Sequence, residues 1–368
     1  MKPYLWPALA LVLAGCSEPQ ESTGFAGLAG IIDSDAEIPF LQPGPGESLS
    51  FPADLGPHPQ HRIEWWYLTA NLETAEGEPL GLQWTQFRQA LKPRPAESIA
   101  PDAESWPLDS AWMAHAAVSF DRQHYFAEKL ARGDVGHAGA TAAPFSVWLD
   151  NWQLTEPAGQ APWRLQVSTD KWSYDLSLKV QGEPVAHGDQ GFSAKSASGE
   201  GSLYFSLVDL EIEGTVTLGG ETLEVAGKGW FDREWSSQFL KGGQQGWDWF
   251  ALHLESGDKL MAFQLREDSG AFRSGTWIPA QGDPVALTPD QLRIKPLSGH
   301  KGYPRQWQLK VPEFGVSLEL SAPAGDYLND GLYPYWESPV TVSGSHTGVG
   351  YMELTGYRAP ETSASSAD

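Results

Sequence analysis

A chain of 368 residues with 41% hydrophobic and 19% charged side chains can bury a core, and it has room for two domains of ordinary size. Its 47 acidic side chains against 24 basic ones leave a net charge of −23 with no cluster of Lys and Arg in view. That argues against nucleic acid or anionic headgroups as partners, since both need grouped cations to neutralise phosphate.

The first residues have a character of their own. Lys2, an apolar run from Tyr4 to Leu13, and then Ala14 and Gly15 before Cys16 have the layout of an export signal, too short to span a bilayer comfortably. Cys16 is the single cysteine and follows Leu, Ala and Gly, which resembles the bacterial lipoprotein signal, where that cysteine becomes the lipidated first residue of the mature chain. The alternative is a secretory peptide with an incidental cysteine. Ser17, rather than Asp, resembles the outer-membrane address in Gram-negative bacteria. The expected location is therefore the cell envelope, on the periplasmic face of the outer membrane, with the lipid anchor as the membrane contact. Without residues 1–15 the chain keeps 23 basic and 47 acidic side chains, a net charge of −24 that suits the solubility of an exported protein. No second cysteine is present for an intrachain disulfide, so packing must supply the stability.

Residues 16–60, rich in Gly, Pro, Ser and acids, read as a flexible tether, and 359–368 as a disordered tail. Strands are predicted at 62–72, 80–88, 112–120, 145–154, 163–169 and 174–180. A second series follows at 203–217, 221–235, 247–254, 259–266, 307–311, 316–321, 340–343 and 350–357. With 17 Trp, 39 Gly and 28 Pro and few helical periods, the fold class is all-β, built of antiparallel barrels or sandwiches.

An internal repeat sets the domain count. Glu64, Trp65, Trp66 and Tyr67 lead through Gly77 to Gln86, Phe87 and Arg88, while Asp248, Trp249 and Phe250 lead through Gly257 to Gln264, Leu265 and Arg266. Two copies imply two similar domains, placed at 61–208 and 209–358. Hairpins turning about Glu76 and Gly257 would set Glu64 opposite Arg88 and Asp248 opposite Arg266, as ion pairs worth about 0.2–1 kcal/mol when exposed. Such pairs either tie strands together or serve a ligand. Gln86 and Arg88, polar on a core-facing strand, need a partner or a ligand. His115, among Ala114, Ala116 and Ala117, has the setting of a satisfied core histidine and is also a ligand candidate.

The best clue to chemistry is Gly229, Trp230, Phe231, Asp232, Arg233, Glu234, Trp235. On a strand, alternation puts Trp230, Asp232 and Glu234 on one face and Phe231, Arg233 and Trp235 on the other. Two carboxylates beside an indole are a means of raising a carboxyl pKa, through burial and a like-charged neighbour. No His pair has zinc spacing, so no metal is expected.

These residues resemble a family. His61 to Tyr67, Gly229 to Trp235, Gly246 to Phe250, Tyr335 to Glu337 and Gly350 to Tyr357 are similar, in order over about residues 55–358, to the AttH-like proteins, bacterial predicted secreted hydrolases related to carotenoid 1,2-hydratases. The resemblance implies two tandem lipocalin-like antiparallel β-barrels, and relatives that act on hydrophobic polyenes with neither metal nor organic cofactor. It aligns the hydratases' proposed acid with Asp232. Those enzymes carry Tyr where this chain has Trp230 and His where it has Arg233. The hydrolase label finds no nucleophile elbow or Ser, His, Asp arrangement here.

Hydration of an unactivated alkene needs a strong acid, a surface that tolerates a carbocation, and a positioned water. Asp232 is the candidate acid, Glu234 the water holder, and Trp230, Trp235, Trp247 and Trp249 the aromatic faces, with Arg233 beside them. Glu64, Trp66, Gln86, Arg88 and His115 complete the candidate ligand-binding set. Three readings stand: a cofactor-free hydratase or lyase acting on a lipid, polyene or isoprenoid; a lipocalin-like lipoprotein carrying a hydrophobic small molecule in association with a transporter; and a structural envelope protein whose aromatics are core. A monomer is expected.

Overall fold

The computed structural model describes residues 39–93, 109–133, 135–157, 162–300 and 302–357. The predicted signal segment, Cys16 and the predicted C-terminal tail lie outside the described residues.

Two antiparallel sheets make up the protein. The first has β1 (Ile63–Thr74), β2 (Pro79–Ala90), β3 (Ser110–Phe120), β4 (Gln123–Arg132), β5 (Ala138–Ala142), β6 (Phe145–Leu149), β7 (Trp152–Thr155), β8 (Trp163–Ser168), β9 (Trp172–Val180), β10 (Val185–Ala186), β11 (Phe192–Ala194), β12 (Gly201–Leu218) and β13 (Glu221–Ser236). Its order is β4-β3-β2-β1-β13-β12-β9-β8-β7-β6-β5, with β10 and β11 pairing along β12. It curls into a nearly closed lipocalin-like barrel filled by Trp66, Leu68, Trp84, Leu165, Leu176 and Phe231. The second has β14 (Gln244–Leu254), β15 (Lys259–Glu267), β16 (Gly270–Ile278), β17 (Val285–Leu287), β18 (Arg293–His300), β19 (Tyr303–Val311), β20 (Val316–Ser321), β21 (Leu328–Asn329), β22 (Tyr335–Gly344) and β23 (Gly348–Leu354). Ordered β17-β16-β15-β14-β23-β22-β20-β19-β18, it forms a half-barrel around Phe250, Leu252, Trp307, Leu318, Trp336 and Met352.

The predicted division at 208/209 is corrected by the pairing. β12 is one strand across that point, and β13 pairs with β1 from Ile63↔Ser236 to Thr74↔Val225, so residues 201–236 close the first barrel. The division falls between β13 and β14. Closure needs a partner for the free side of β1, and that partner is more than 150 residues away in sequence, where local pattern carries no sign of it.

The tether expectation is corrected over residues 39–60. This stretch lies on the mouth of the first barrel: Leu41 N–H donates to Gln60 O at 3.0 Å, Phe40 is buried beneath the Arg62 guanidinium, and Phe51 meets Phe205 edge-on at 4.8 Å. Strands β4, β5, β10, β11, β16 to β18 and β21 were not predicted. β4 reads QHYFAEKLAR and is half-buried at nearly every position, so it shows no alternation.

Of the two predicted hairpin registers, Glu64↔Arg88 is the one observed. In the second hairpin Asp248 faces Gln264, because the turn is centred one residue earlier and His253 pairs with Lys259. That two-residue shift preserves the face, so Arg266 still reaches Asp248 diagonally, at 3.3 Å.

The outer face of β1 and β2 packs on β23 and β22, which joins the barrels side to side. Gly81 permits this approach, since a Cβ there would lie 2.8 Å from the Pro339 ring. Asn71 Nδ2 donates to Gly350 O across the seam at 3.0 Å.

Candidate functional site

Alternation on β13 divides the heptad as its sequence predicts. Phe231 joins the core of the first barrel, whereas Trp230 lies in an aromatic cluster between the barrels with Tyr67, Tyr204, Trp249, Met261, Phe263 and Tyr351. The candidate residues therefore form two groups on opposite sides of one sheet.

The inward group is a plug at the mouth of the first barrel. Glu64, fully buried, receives Arg88 Nε, Arg233 Nη2 and the His58 backbone N–H, the last at 3.0 and 3.1 Å from its two oxygens. Arg233 stacks on Trp66 at 3.8 Å and donates to Trp65 O at 3.1 Å and to Gly56 O. Trp235 stacks on His58 at 3.7 Å, Trp66 donates to Leu55 O at 2.8 Å, and Gln86 donates to Trp148 O at 2.8 Å. Burial pushes the Glu64 carboxyl up, but Arg88 and Arg233 outweigh it and hold it well below its ordinary value. Arg233, brought down by burial to about 10, remains a cation at neutral pH. The partners of Glu64, Trp66, Arg88, Arg233 and Trp235 are other parts of the chain, which fits closing the barrel better than holding a ligand. The second barrel repeats the device: Asp248 accepts from Gln264 at 2.7 Å and Tyr357 at 2.9 Å beside Arg266.

The outward group meets the second barrel. Asp232, 2% exposed, accepts three hydrogen bonds on one oxygen: Tyr204 OH at 2.8 Å, Trp230 Nε1 at 2.9 Å and Ser206 Oγ, all on Oδ1. Its other oxygen, Oδ2, is buried without a hydrogen-bond partner. A carboxylate would leave half its charge unsolvated there, whereas a carboxylic acid keeps its proton on Oδ2 and its acceptor on Oδ1. Burial drives its pKa up to about 7, against the pull of those hydrogen bonds and with a further push from Glu234. Glu234 is held differently: it accepts from Ser202 and pairs with Lys195 at 3.0 Å.

From the second barrel come Trp249, whose ring meets Tyr67 at 5.2 Å, and two carboxyls opposite each other on β22 and β23, Glu337 and Glu353. Glu337 accepts from Tyr67 OH, from Gln83 at 2.6 Å and from Asn329 at 3.0 Å. Glu353 is half-buried, accepts from Trp247 Nε1 at 2.6 Å, and is raised to about 7 by burial, with Asp232 and Glu234 adding to it. Trp65, Leu240 and Trp247 are only partly covered and rim this junction. His115 lies further along the same seam, its Nδ1 3.0 Å from Tyr335 OH and its Nε2 2.8 Å from Glu128. It is satisfied on both nitrogens. Among the described residues no three His, Cys, Asp or Glu are grouped as metal ligands would be.

Sequence reasoning did not single out Tyr67, His187, Tyr204, Ser206, Glu337 or Glu353 as site residues. Tyr67 sits in the repeat, and Glu337 and Glu353 in the quoted family segments, so position marked these three without giving a role. Tyr204, Ser206 and His187 carry no local signal.

The chain matches the AttH-like family over residues 42–357. It belongs to that family. Among solved structures it is similar to an AttH protein from Nitrosomonas europaea, at 31% identity and a TM-score of 0.75 over 87% of this chain and 100% of that one. It is also similar to kievitone hydratase from Nectria haematococca (17% identity, TM-score 0.63, 88% of this chain and 99% of that one). A third similar structure is CghA with Sch210972 (14%, 0.55, 89% and 96%). The last two carry the fold alone. No curated protein matches the chain.

Proposed function

We propose that the junction between the barrels is an acid site for an unsaturated, apolar small molecule, and that Asp232 delivers the proton. The observation that carries this reading is the asymmetry of one buried carboxyl: three donors on Oδ1, and an Oδ2 with no partner, among Trp230, Tyr67, Tyr204 and Trp249. A polyene or isoprenoid double bond would take the proton from Oδ2, leaving a carboxylate whose charge three hydrogen bonds already stabilise. The carbocation would face indole and phenol rings, with each good contact worth about 0.5–2 kcal/mol. Water would then add to the cation, and Glu353, half-buried with a raised pKa, is placed to take the released proton. The sum is alkene plus water giving alcohol; Glu353 releases its proton to solvent and Asp232 regains one. This moves the water-holding role from Glu234, whose charge Lys195 and Ser202 already engage.

The wider setting is also a proposal: an envelope lipoprotein anchored through Cys16 would meet its substrate where membrane lipids are at hand. The kievitone hydratase likeness supports the reaction class only by shared fold.

The test is incubation of the protein with a panel of polyenes and isoprenoids in ¹⁸O-water, with mass spectrometry of the products. Incorporation of one labelled oxygen, lost in Asp232→Asn, is the expected result. Retained ligand that returns unchanged from both proteins would make the molecule a carrier and overturn the catalytic reading.

A further inference from the structure

The second barrel sends two chains of hydrogen bonds to the same oxygen of Asp232. In the first, Trp249 Nε1 lies 3.1 Å from Tyr204 OH, and Tyr204 OH lies 2.8 Å from Asp232 Oδ1. An indole N–H only donates, so Tyr204 receives from Trp249 and its own proton is free for Asp232. In the second, Thr276 Oγ1 lies 2.7 Å from His187 Nδ1, His187 Nε2 lies 2.6 Å from Ser206 Oγ, and Ser206 donates to Asp232 Oδ1. Ser206 has one proton and gives it to Asp232, so Oγ must accept from His187 Nε2–H, and Nδ1 must accept from Thr276. Exposure of Thr276, His187, Ser206 and Asp232 is 1%, 0%, 0% and 2%, so no solvent stands ready to replace a member. Burial also keeps the imidazole neutral, with its pKa near 3.

Local backbone places His187. It follows β10, and its N–H bonds to Tyr204 O at 3.0 Å. The connection to β11 then turns at Gly188, which has φ +70°; a Cβ there would lie 2.2 Å from Phe192 O. The imidazole is thereby set between the two barrels.

We infer that Trp249 and the Thr276–His187–Ser206 chain are positioning residues, through which the second barrel fixes Oδ1 of Asp232 as the acceptor and leaves Oδ2 as the oxygen that carries the proton. Neither Trp249 nor Thr276 contributes a hydrogen bond to Asp232 directly; each sets the direction of a hydroxyl that does. The acid is then a property of the docked pair of barrels, although Asp232 itself belongs to the first. This inference rests on the reading of Asp232 as the acid, but its test needs no substrate. The titratable and charged groups around Asp232 and its three donors are Glu234 on its own strand, Tyr67 on β1, Tyr204 on β12, His187 after β10 against Ser206, Lys195 after β11 against Tyr204, His253 on β14 against Trp230, and Glu353 on β23.

The experiment follows the Asp232 carboxyl by ¹³C NMR against pH, assigned with Asp232→Asn, and the His187 ring by ¹⁵N NMR, in the full mature protein. Wild type is expected to show a neutral His187 with its proton on Nε2. Trp249→Phe and Thr276→Val each weaken donation to the carboxylate, so the Asp232 midpoint rises by roughly half a pH unit, while Thr276→Ser, which keeps the hydroxyl, leaves it in place. A merely structural role would lower the melting temperature of Thr276→Val without moving the midpoint. That result, or a His187 proton on Nδ1 in wild type, overturns the inference. If the midpoints move as expected but Asp232→Asn leaves product formation intact, the wiring stands and the catalytic reading falls.

Discussion

Glu64→Gln is the sharpest test of the division between plug and site. The carboxylate is fully buried, takes one oxygen to Arg88 and the other to Arg233, and also receives the His58 backbone N–H. The amide has nearly the same shape but leaves two guanidiniums without a counter-charge in a site where Arg233 is 0% and Arg88 6% exposed. It also turns one acceptor into an NH₂ facing donors. Breaking a buried pair by removing one partner costs about 3–5 kcal/mol. For a domain of this size, each kcal/mol lowers the melting temperature by about 2–4 °C, so a fall of roughly 6–20 °C is expected. The assay is calorimetry of the wild type and variant at neutral pH, with an acid scan of each. Glu64 has a depressed folded-state pKa, so its stabilisation is present above the unfolded carboxyl pKa and is lost as pH falls through the lower folded value. The wild type should therefore lose stability in acid faster than the variant. Melting temperatures within about 2 °C of each other would refute the structural role of Glu64 and return it to the ligand candidates.

Further outcomes follow from the junction. Asp232 has its pKa raised to about 7 in the fold, so the native state holds more protons than the unfolded chain between roughly pH 4 and 7 and its contribution declines as pH rises through that window. Urea titrations of Asp232→Asn should show that decline reduced by about 2–4 kcal/mol, and an unchanged slope would show that Asp232 ionises normally. Glu353→Gln should lower turnover on any hydrated substrate by roughly 10²-fold with binding retained, as fits a proton acceptor. Gly81→Ala places a methyl against the Pro339 ring, where a Cβ finds carbon at 2.8 Å. A stability cost of about 1–3 kcal/mol, with altered Asp232 titration, is expected from the barrels moving apart, and a neutral variant would refute close packing of the barrels at Gly81.

Period-two alternation was enough to part Asp232 from Arg233, because on a strand neighbouring residues must take opposite faces. The Glu64–Arg88 register was legible for a similar reason, since a hairpin's turn fixes every pair beyond it. What the sequence hid was non-local. The pairing of β13 with β1 spans the whole first barrel, so residues 209–236 read as the beginning of the second. Tyr204 and Ser206 lie on β12, His187 after β10 and Glu353 on β23, and only closure of one barrel and docking of the other bring them to Asp232 or its vicinity. Arg233 illustrates the converse: proximity in sequence made it a candidate beside Asp232, and the pleat sends it into the plug with Trp66 and Glu64.

Acid chemistry at the seam between the barrels requires Asp232 to hold a proton on Oδ2 near neutral pH. Infrared difference spectroscopy of the wild type against Asp232→Asn measures this without a substrate. A protonated carboxyl band is expected at about pH 5, absent from the variant, that disappears with a midpoint near 7. A carboxylate band already present at about pH 5, with no protonated partner, would contradict it.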